Sequence, residues 1–543
     1  SCTRVLRSTR VLLRPCAPRE PLSSTSPVPR GPRGSMGCCS SSASYPAVGP
    51  TQSALPKDAK ICIVGAGPAG VHMAAQLTKR GFTNVVILEK TDRLGGKSYT
   101  PRDRNGFLHE MGTCYTTEIY GPIFALFEEY LGSTGQVNVV SGDNMRMVFR
   151  THDDLRPLRG QEDGQEFLEW VMAETERVVA ESCCCCGTLP CGWCSGLAFV
   201  QAVKRYSKEF ERIFGNVDSF EYGLPPRPSN AKDIDGTFEE WLRRHGCEAL
   251  IPLFVFTTTV QGYGYIETCP ALYGLWWNTP RLLRTIVTPQ GISASQVYMT
   301  THGFENLWRA MAERHALDVR YSCEVTRISR SGGAQATGAS GPGPVSITYT
   351  QSGGEARTEN YDVLLVACPF PQILPAFIDL SEDERSVLSG FTHATIATTL
   401  YEAAQVEHEN VIELWPKGLR PETDGLLYAH RNARLVFEPD SEKVNPETRV
   451  AYQYTEAHPA PDLLPTLLEN LTTVGESEVK VLEHRPWFYA SRWNQEQINA
   501  GAPWRLLELQ GQRNTFFIGG TACFESTLDV VQYNDNFILP HFS

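Results

Sequence analysis

Three observations predict an α/β fold for this chain of 543 residues. An apolar run at residues 61–64 ends in a glycine-rich turn, helix-spaced apolar residues follow, and a second β-branched run ends at Glu89. This order of strand, turn, helix, strand and acid is the setting in which a G-x-G-x-x-G motif binds a dinucleotide. The chain is also too long for one compact core. We therefore predict a Rossmann-like dinucleotide-binding domain, discontinuous in sequence, with an interleaved α+β substrate domain.

The glycine turn contains Gly65, Gly67 and Gly70. The first permits the tight turn, the second lets the backbone approach a pyrophosphate, and the third lets the helix pack closely on the strand. The pyrophosphate then lies at the positive end of the helix dipole. Glu89 can accept hydrogen bonds from the adenosine ribose, and its charge would repel the 2′-phosphate of NADP. The alternative interpretation is a glycine-rich turn with no ligand.

A second glycine pair follows Glu89 in the run R-L-G-G-K-S at residues 93–98. It lets the backbone approach the far half of a long cofactor. Arg93 and Lys97 can offset phosphate charge, and arginine is better suited to bidentate contacts. Together with G-F-L-H-E-M-G-T-C-Y at residues 106–115, this segment resembles the flavin-containing amine oxidase superfamily, which shares R-x-G-G-[RK] after the ribose-binding acid. The resemblance implies that the dinucleotide is FAD.

Two later segments carry the same resemblance. The run Y-D-V-L-L-V-A-C-P at residues 361–369 matches a buried strand of the family that ends at proline. The closing run F-I-G-G-T-A-C-F-E-S-T leads into a helix beginning near Ser526, which in the family faces the pyrimidine edge of the flavin and stabilises its anionic reduced form. The resemblance implies that FAD is bound by Gly65, Ala66, Gly67, Pro68, Ala69, Gly70, Glu89, Lys90, Arg93, Gly96, Lys97, Met111, Gly112, Thr113, Val325, Gly520, Thr521 and Val530.

The domains are expected to alternate along the chain. A leader would occupy residues 1–55, the FAD-binding domain residues 56–160, 301–375 and 511–543, and the substrate domain residues 161–300 and 376–510.

Flavin chemistry needs a dry cavity that holds a substrate C–H bond against the cofactor. Amine oxidases line this cavity with aromatic residues, and aromatic clusters occur here in Q-G-Y-G-Y, W-W and H-R-P-W-F-Y. For each aromatic residue the alternative is an ordinary core position. The candidates for the substrate cavity are Tyr263, Tyr265, Trp487 and Tyr489, with Trp276, Trp277 and Phe488 near them in sequence.

Arg146 is the candidate anchor for a substrate that carries a carboxylate. It alternates with apolar residues in N-M-R-M-V-F-R, which places Arg146 and Arg150 on one face of a predicted strand. The alternative interpretation is that both are exposed arginines on an edge strand.

The chain departs from amine oxidases at two positions. Those enzymes commonly carry a lysine on the strand after the A-x-P segment, where it holds a water molecule near the flavin, but no lysine occurs here between Lys232 and Lys417. The closing G-E of many amine oxidases is replaced by Gly520-Thr521. Both departures disfavour amine oxidation and favour a desaturase or an isomerase.

Four functions therefore stay open. The first is an FAD-dependent oxidoreductase that abstracts hydride from an apolar or unsaturated small molecule. The second is a redox-neutral FAD-dependent isomerase of polyunsaturated fatty acids, since G-Y-G-Y followed by C-P-A-L-Y-G resembles that subgroup of the superfamily. The others are an amine or polyamine oxidase and a non-enzymatic flavin-binding protein. The catalytic residues and the oligomeric state are not determined by the sequence.

Charge and composition exclude other classes. The net charge of −12 argues against a nucleic-acid partner, which requires clustered Lys and Arg. The sequence contains no run of eighteen or more apolar residues, so we predict no membrane-spanning helix. The histidines lack metal-ligand spacing, so we predict no metal. The cysteine cluster at residues 183–186, with C-G-W-C at 191–194, is predicted to be a loop of free thiols in a reducing compartment, with a dithiol or metal site as the alternative.

The N-terminal segment supports two predictions of intracellular location. Residues 1–35 contain seven Arg and one acidic residue, a composition similar to an organellar transit peptide, for a plastid or a mitochondrion. From Met36 the run M-G-C-C-S-S-S fits N-myristoylation at Gly37, and Cys38 and Cys39 could carry palmitate for peripheral membrane association. A leader without function is the third possibility.

Overall fold

A computed structural model describes residues 45, 55–138, 146–150, 164–182, 192–216, 222–288, 291–292, 297–330, 345–376, 379–404, 411–431 and 448–543. The predicted transit and lipidation segment and the cysteines at 183–186 lie outside these residues. The side chains of Arg146 and of residues 192–194 are likewise outside the description.

The described residues form nineteen strands, numbered in chain order. They are β1 Lys60–Val64, β2 Asn84–Leu88, β3 Gln136–Asn138, β4 Arg146–Arg150, β5 Gly164–Glu166, β6 Val287–Thr288, β7 Gly291–Ile292, β8 Tyr298–Thr300, β9 Asp318–Arg320, β10 Cys323–Arg330, β11 Val345–Gln351, β12 Ala356–Tyr361, β13 Val363–Val366, β14 Phe391–Glu402, β15 Val411–Leu414, β16 Leu427–Arg431, β17 Thr448–Thr455, β18 Lys480–Trp493 and β19 Thr515–Phe517.

The α-helices of the described residues are also numbered in chain order. They are α1 Pro68–Lys79, α2 Gly121–Leu131, α3 Phe167–Ser182, α4 Gly192–Phe214, α5 Phe238–Arg244, α6 Ile251–Phe254, α7 Ala271–Trp277, α8 Pro280–Ile286, α9 Phe304–Arg314, α10 Phe370–Ile373, α11 Glu382–Val387, α12 Leu464–Thr473, α13 Gln495–Asn499, α14 Ala502–Leu509 and α15 Thr527–Tyr533. Within the described part of the chain, no helix combines the length and apolar character needed to cross a membrane.

A parallel sheet of five strands carries the glycine turn. Its order is β19-β13-β1-β2-β9, so strands from the start, middle and end of the chain lie side by side. Strands β1 and β13 are almost entirely apolar and buried, as expected when both faces of a parallel sheet are covered. The prediction of a Rossmann-like unit that is discontinuous in sequence is confirmed.

A mixed sheet of seven strands forms the second large element, in the order β18-β14-β17-β16-β15-β4-β5. All its neighbouring pairs are antiparallel except β15 and β4. Strand β4 lies between two others, and Arg150 is buried and ion-paired with Glu413. The alternative of an exposed Arg150 on an edge strand is therefore wrong.

Candidate active site

The glycine turn joins β1 to α1 in a backbone geometry that only glycine accommodates. Gly65 has a φ of +110°, and a Cβ placed on Gly70 would lie 2.0 Å from the carbonyl oxygen of Gly65. Helix α1 begins at Pro68, with Gly67 as its N-cap residue. Because the first N–H groups of a helix have no partner inside the helix, they are available to an anionic ligand.

A cavity of about 660 Å³ opens in front of this turn. Its wall combines the turn and residues from β10, β18 and the segment before α15. The residues predicted to bind FAD that line it are Gly65, Gly67, Pro68, Ala69, Glu89, Lys90, Arg93, Gly96, Lys97, Thr113, Val325, Gly520, Thr521 and Val530. We call this space the cofactor cavity.

The other four predicted cofactor residues lie outside the wall of the cofactor cavity. Ala66 is fully buried, and its N–H donates to Oε2 of Glu89 at 2.8 Å. Gly70 packs against Gly65, and Met111 is buried beneath the surface. Gly112 lines the neighbouring cavity instead.

Glu89 and Arg93 are both held by the protein itself. Oε1 of Glu89 accepts hydrogen bonds from the N–H and the hydroxyl of Thr91, each at 2.8 Å. The guanidinium of Arg93 lies 4.3 Å from the centroid of the Tyr99 ring and donates to main-chain carbonyls, including that of Leu94 at 3.0 Å. The hydrogen bonds of Arg93 therefore stabilise the second glycine loop, and its positive charge lies in the wall of the cofactor cavity.

A second, narrower cavity of about 100 Å³ adjoins the first. The residues common to both walls are Lys97, Thr113, Trp487, Tyr489, Glu525, Ser526 and Thr527. The apolar wall of the second cavity consists of Met147, Phe256, Val260, Val297, Ile396, Ile412 and Leu414. Phenol groups complete it, from Tyr115, Tyr120, Tyr263, Tyr428, Tyr452 and Tyr489. We call this space the substrate cavity.

Three of the four predicted cavity aromatics line the substrate cavity, and Tyr265 does not. Gly262 and Gly264, with φ of +77° and +123°, turn the chain sharply around Tyr263. Tyr265 is consequently buried elsewhere, where its hydroxyl donates to Oδ1 of Asp424 at 3.0 Å and its ring meets the Tyr454 ring edge-on. The placement of Tyr265 in the substrate cavity was therefore wrong.

The remaining aromatic candidates divide between the core and the cofactor cavity. The indole N–H of Trp276 donates to Asp529 and that of Trp277 to the carbonyl of Thr257, and both rings are buried. Phe488 lines the cofactor cavity.

Arg146 begins β4, which contributes Met147 to the substrate cavity.

The charged side chains that the structure describes in the wall of the substrate cavity form one ion pair. Nζ of Lys97 lies 2.6 Å from Oε1 of Glu525, and the other residues of the wall are uncharged types. Burial raises the pKa of Tyr263 and of Tyr489 well above the ordinary value, so both phenols are neutral at pH 7. Burial likewise raises the pKa of the Cys114 thiol to about 12.

Strand β14 follows the A-C-P segment, where the resemblance to amine oxidases implies a lysine, and it contains none. It presents Ile396 and Thr398 to the substrate cavity. The hydroxyl of Thr398 and the indole N–H of Trp487 both donate to the carbonyl of Met111, each at 2.7 Å. The wall at this point is therefore a closed hydrogen-bonded unit without an ammonium group.

Sequence reasoning missed Cys114, Tyr115 and Glu525 as cavity residues. Each lies in or directly beside a quoted motif: the first two end G-F-L-H-E-M-G-T-C-Y, and the third follows the closing G-G-T-A-C-F. Treating every side chain of the quoted motifs as a candidate would have found them. Among the described residues, no group of three or more His, Cys, Asp or Glu side chains could hold a metal ion.

Comparison with known proteins agrees with this geometry. Residues 68–436, more than half of the chain, match the flavin containing amine oxidoreductase family. The chain belongs to this family. It is 24% identical over 527 residues to a polyenoic fatty acid isomerase of Ptilota filicina, covering 89% of this chain and 95% of that protein.

Two further proteins are similar over nearly their full length. An FAD-dependent oxidoreductase, dpchF, of Colletotrichum higginsianum is 22% identical over 505 residues, covering 89% of this chain and 93% of that one. The crystal structure of a CLA-producing fatty acid isomerase from P. acnes superposes with a TM-score of 0.67 at 22% identity, covering 90% of this chain and all of that one. The structural likeness confirms the amine-oxidase-like fold of this family member.

Proposed function

We propose that this protein is an FAD-dependent enzyme that abstracts hydride from a C–H bond of an unsaturated, apolar small molecule. Redox-neutral isomerisation of a polyunsaturated fatty acid is the outcome that we favour. The observation that carries the proposal is the narrow cavity of apolar and phenolic side chains that shares one wall with the cofactor cavity.

The cofactor cavity suits FAD. A Cβ on Gly67 would meet only Gly96 within 4 Å, so the bare backbone of the turn faces the space that a pyrophosphate would fill. Helix α1 starts there, and Glu89 lies on the same wall within reach of a ribose. When bound, FAD supplies the two-electron acceptor that the side chains of a protein lack. The partition of the chain into three FAD-binding and two substrate segments stays part of this proposal.

The chain's own residues would orient the substrate and keep water out. A water molecule needs about 10–15 Å³ of such space, so the substrate cavity of about 100 Å³ has room for on the order of seven to ten water molecules. That volume suits a segment of a slender chain better than a bulky ring system. The neutral phenols of Tyr263 and Tyr489 would flank the chain without adding charge.

Amine oxidation is less well supported by the site. Strand β14 presents Ile396 and Thr398 to the substrate cavity, and it contains no lysine. Among the described residues in the wall of the substrate cavity, the only carboxylate is that of Glu525, which is already paired with Lys97. A cationic amine would therefore enter a site with no free negative charge.

Net oxidation is the second candidate, because a relative of similar length is named as an FAD-dependent oxidoreductase. The two outcomes differ in electron balance. An isomerase returns the hydride to the carbon chain and needs no external acceptor, whereas an oxidase consumes O₂ or reduces another acceptor.

The test is an anaerobic screen of the FAD-loaded protein against polyunsaturated fatty acids and polyamines. We expect a polyunsaturated acid to bleach the visible flavin band transiently, and the product to be an isomer of equal mass, formed without O₂ uptake when air is admitted. Stoichiometric O₂ uptake would favour net oxidation. Reduction by a polyamine alone, or protein that stays colourless after reconstitution with FAD, would overturn the proposal.

A further inference from the structure

Arg431 is a buried arginine at the end of β16, next to the substrate cavity. Only 1% of its surface is exposed. Its Nε donates to the hydroxyl of Tyr452 at 2.5 Å, and its Nη2 donates to the carbonyl of Glu110 at 2.5 Å. Among the residues that the structure describes, Nη1 has no hydrogen-bond partner. A strong donor group is therefore left unused in the interior.

The guanidinium stands directly behind the wall of the substrate cavity. Its Cζ atom lies 6.0 Å from the centroid of the Tyr115 ring and 5.7 Å from that of the Tyr452 ring. Both rings line the substrate cavity, as does Cys114 beside them. Arg431 itself does not line the cavity, so a ligand there would reach its guanidinium between these two rings.

Arg431 differs from the other buried arginines because it has no carboxylate partner within the described part of the chain. A buried charge is costly unless it is paired. The other buried arginines each form an ion pair: Arg150 with Glu413, Arg330 with Glu384, Arg449 with Glu476, and Arg492 with Glu456.

The nearby acid, Glu110, does not neutralise Arg431. Its carboxyl group accepts hydrogen bonds from the hydroxyl of Thr100 and the N–H of Phe304, each at 2.7 Å. Burial raises the pKa of Glu110 to about 8, so this group is mostly protonated at neutral pH. Arginine stays protonated under the same conditions. No carboxylate of the described residues therefore compensates the positive charge of Arg431 beside the substrate cavity.

We propose that Arg431 anchors the carboxylate of the substrate, between Tyr115 and Tyr452, while the apolar chain extends through the cavity towards the Lys97–Glu525 pair. An arginine is suited to carboxylates because its planar fork donates two parallel hydrogen bonds. The same charge disfavours a polyamine. This inference rests on the proposed function for the reaction and adds the residue that holds the carboxylate end of the substrate.

Binding of a saturated ligand tests the anchor independently of turnover. The FAD-loaded protein is titrated with laurate and with 1-dodecanol, and dissociation constants are measured by calorimetry. We expect laurate to bind about tenfold tighter or more, as for hydrogen bonds to charged groups. Equal binding of the acid and the alcohol by the unaltered protein would overturn the proposal, and this comparison requires no variant.

Variants then assign the preference to Arg431. Arg431→Met should abolish the preference for laurate, and Arg431→Lys should restore part of it. Arg449→Met is the matched control, because Arg449 is also buried but is paired with Glu476, whereas Arg431 lies against the Tyr115 and Tyr452 rings of the cavity wall. Retention of the preference in a folded Arg431→Met protein would contradict the proposal, with folding judged by FAD content and circular dichroism. If Arg431→Met does not fold, the wild-type comparison decides.

The proposed carboxylate anchor and the proposed reaction can be disproved independently of each other. If laurate is preferred but no polyunsaturated acid bleaches the flavin, the reaction is wrong and the anchor stands. If a polyunsaturated alcohol is isomerised as fast as the acid and laurate shows no preference, the anchor is wrong and the reaction stands.

Discussion

Nζ of Lys97 lies 2.6 Å from Oε1 of Glu525, and this ion pair stands where the cofactor and substrate cavities meet. The two residues are 428 positions apart in the chain. The pair therefore joins the second glycine loop to the segment that precedes α15, on the wall between the two cavities.

Breaking this pair is expected to destabilise the folded protein. Lys97→Met leaves the mostly buried Glu525 carboxylate without its partner, which should lower the free energy of unfolding by about 1–3 kcal/mol. Urea denaturation monitored by circular dichroism measures the change. Arg177→Met is the control, because its pair with Glu181 is half exposed and should contribute less than about 1 kcal/mol. Equal effects of the two substitutions would contradict the structural role given to Lys97.

Gly70→Ala is expected to abolish FAD binding. The added Cβ would lie 2.0 Å from the carbonyl oxygen of Gly65, so the turn must move out of its ligand-binding shape. FAD content after purification and after reconstitution gives the readout. Gly196→Ala in helix α4 meets no atom within 4 Å and should instead be neutral or stabilising by about 0.5–1 kcal/mol. A yellow, normally reconstituted Gly70→Ala protein would show that the turn tolerates a side chain.

Glu110 should make stability depend on pH. Its pKa rises from an ordinary value of 4.5 to about 8 in the folded protein, because burial disfavours the charged carboxylate. The folded state therefore binds this proton more tightly, so its contribution is complete below about pH 4.5 and is lost as the pH rises to about 8.

Comparison with Glu110→Gln isolates this contribution. Between pH 5 and 8 the unfolding free energy of the wild type should fall relative to the variant by on the order of 3 kcal/mol. Asp529 and Asp535, whose pKa values burial raises to about 6, are present in both proteins and cancel in the difference. Parallel pH profiles for the two proteins would mean that Glu110 is ionised in the folded state.

Filling the substrate cavity should separate cofactor binding from substrate reduction. Val260→Trp places an indole in a space of about 100 Å³, so a chain can no longer lie beside the cofactor cavity. We expect normal FAD content and at least a tenfold loss of substrate-dependent flavin bleaching under anaerobic conditions, measured by stopped-flow absorbance. Val200→Trp, on an exposed position of helix α4, is the control. Unchanged bleaching in Val260→Trp would place the substrate elsewhere.

The glycine turn shows what local sequence can predict. Gly65, Gly67, Gly70 and Glu89 lie within one strand–turn–helix–strand unit, where residue spacing and allowed backbone angles specify their positions. Most of the predicted cofactor residues do line one cavity. Arg93, predicted to bind the cofactor, lies in the wall of that cavity, but its donors contact main-chain carbonyls, which no motif encodes.

Tyr263 and Tyr265 show where local sequence fails. They are two residues apart, and a strand would place them on the same face. The two glycines around Tyr263 adopt positive φ angles and break that alternation, so only Tyr263 lines the substrate cavity. Arg431 belongs to none of the sequence motifs. Its proposed role depends on its contacts with Glu110 and Tyr452, which the fold brings to it from other segments of the chain.

By itself, the sequence determined the parallel α/β unit, the dinucleotide turn and the family, because these follow from periodicity and backbone geometry within short segments. Only the tertiary structure decided which side chains form the substrate cavity, which charges are paired there, and that Arg431 has no counter-ion among the described residues. Ion pairing and burial depend on which residues the fold packs together, and these can lie hundreds of positions apart in the chain. The spacing of residues along the sequence does not specify such contacts.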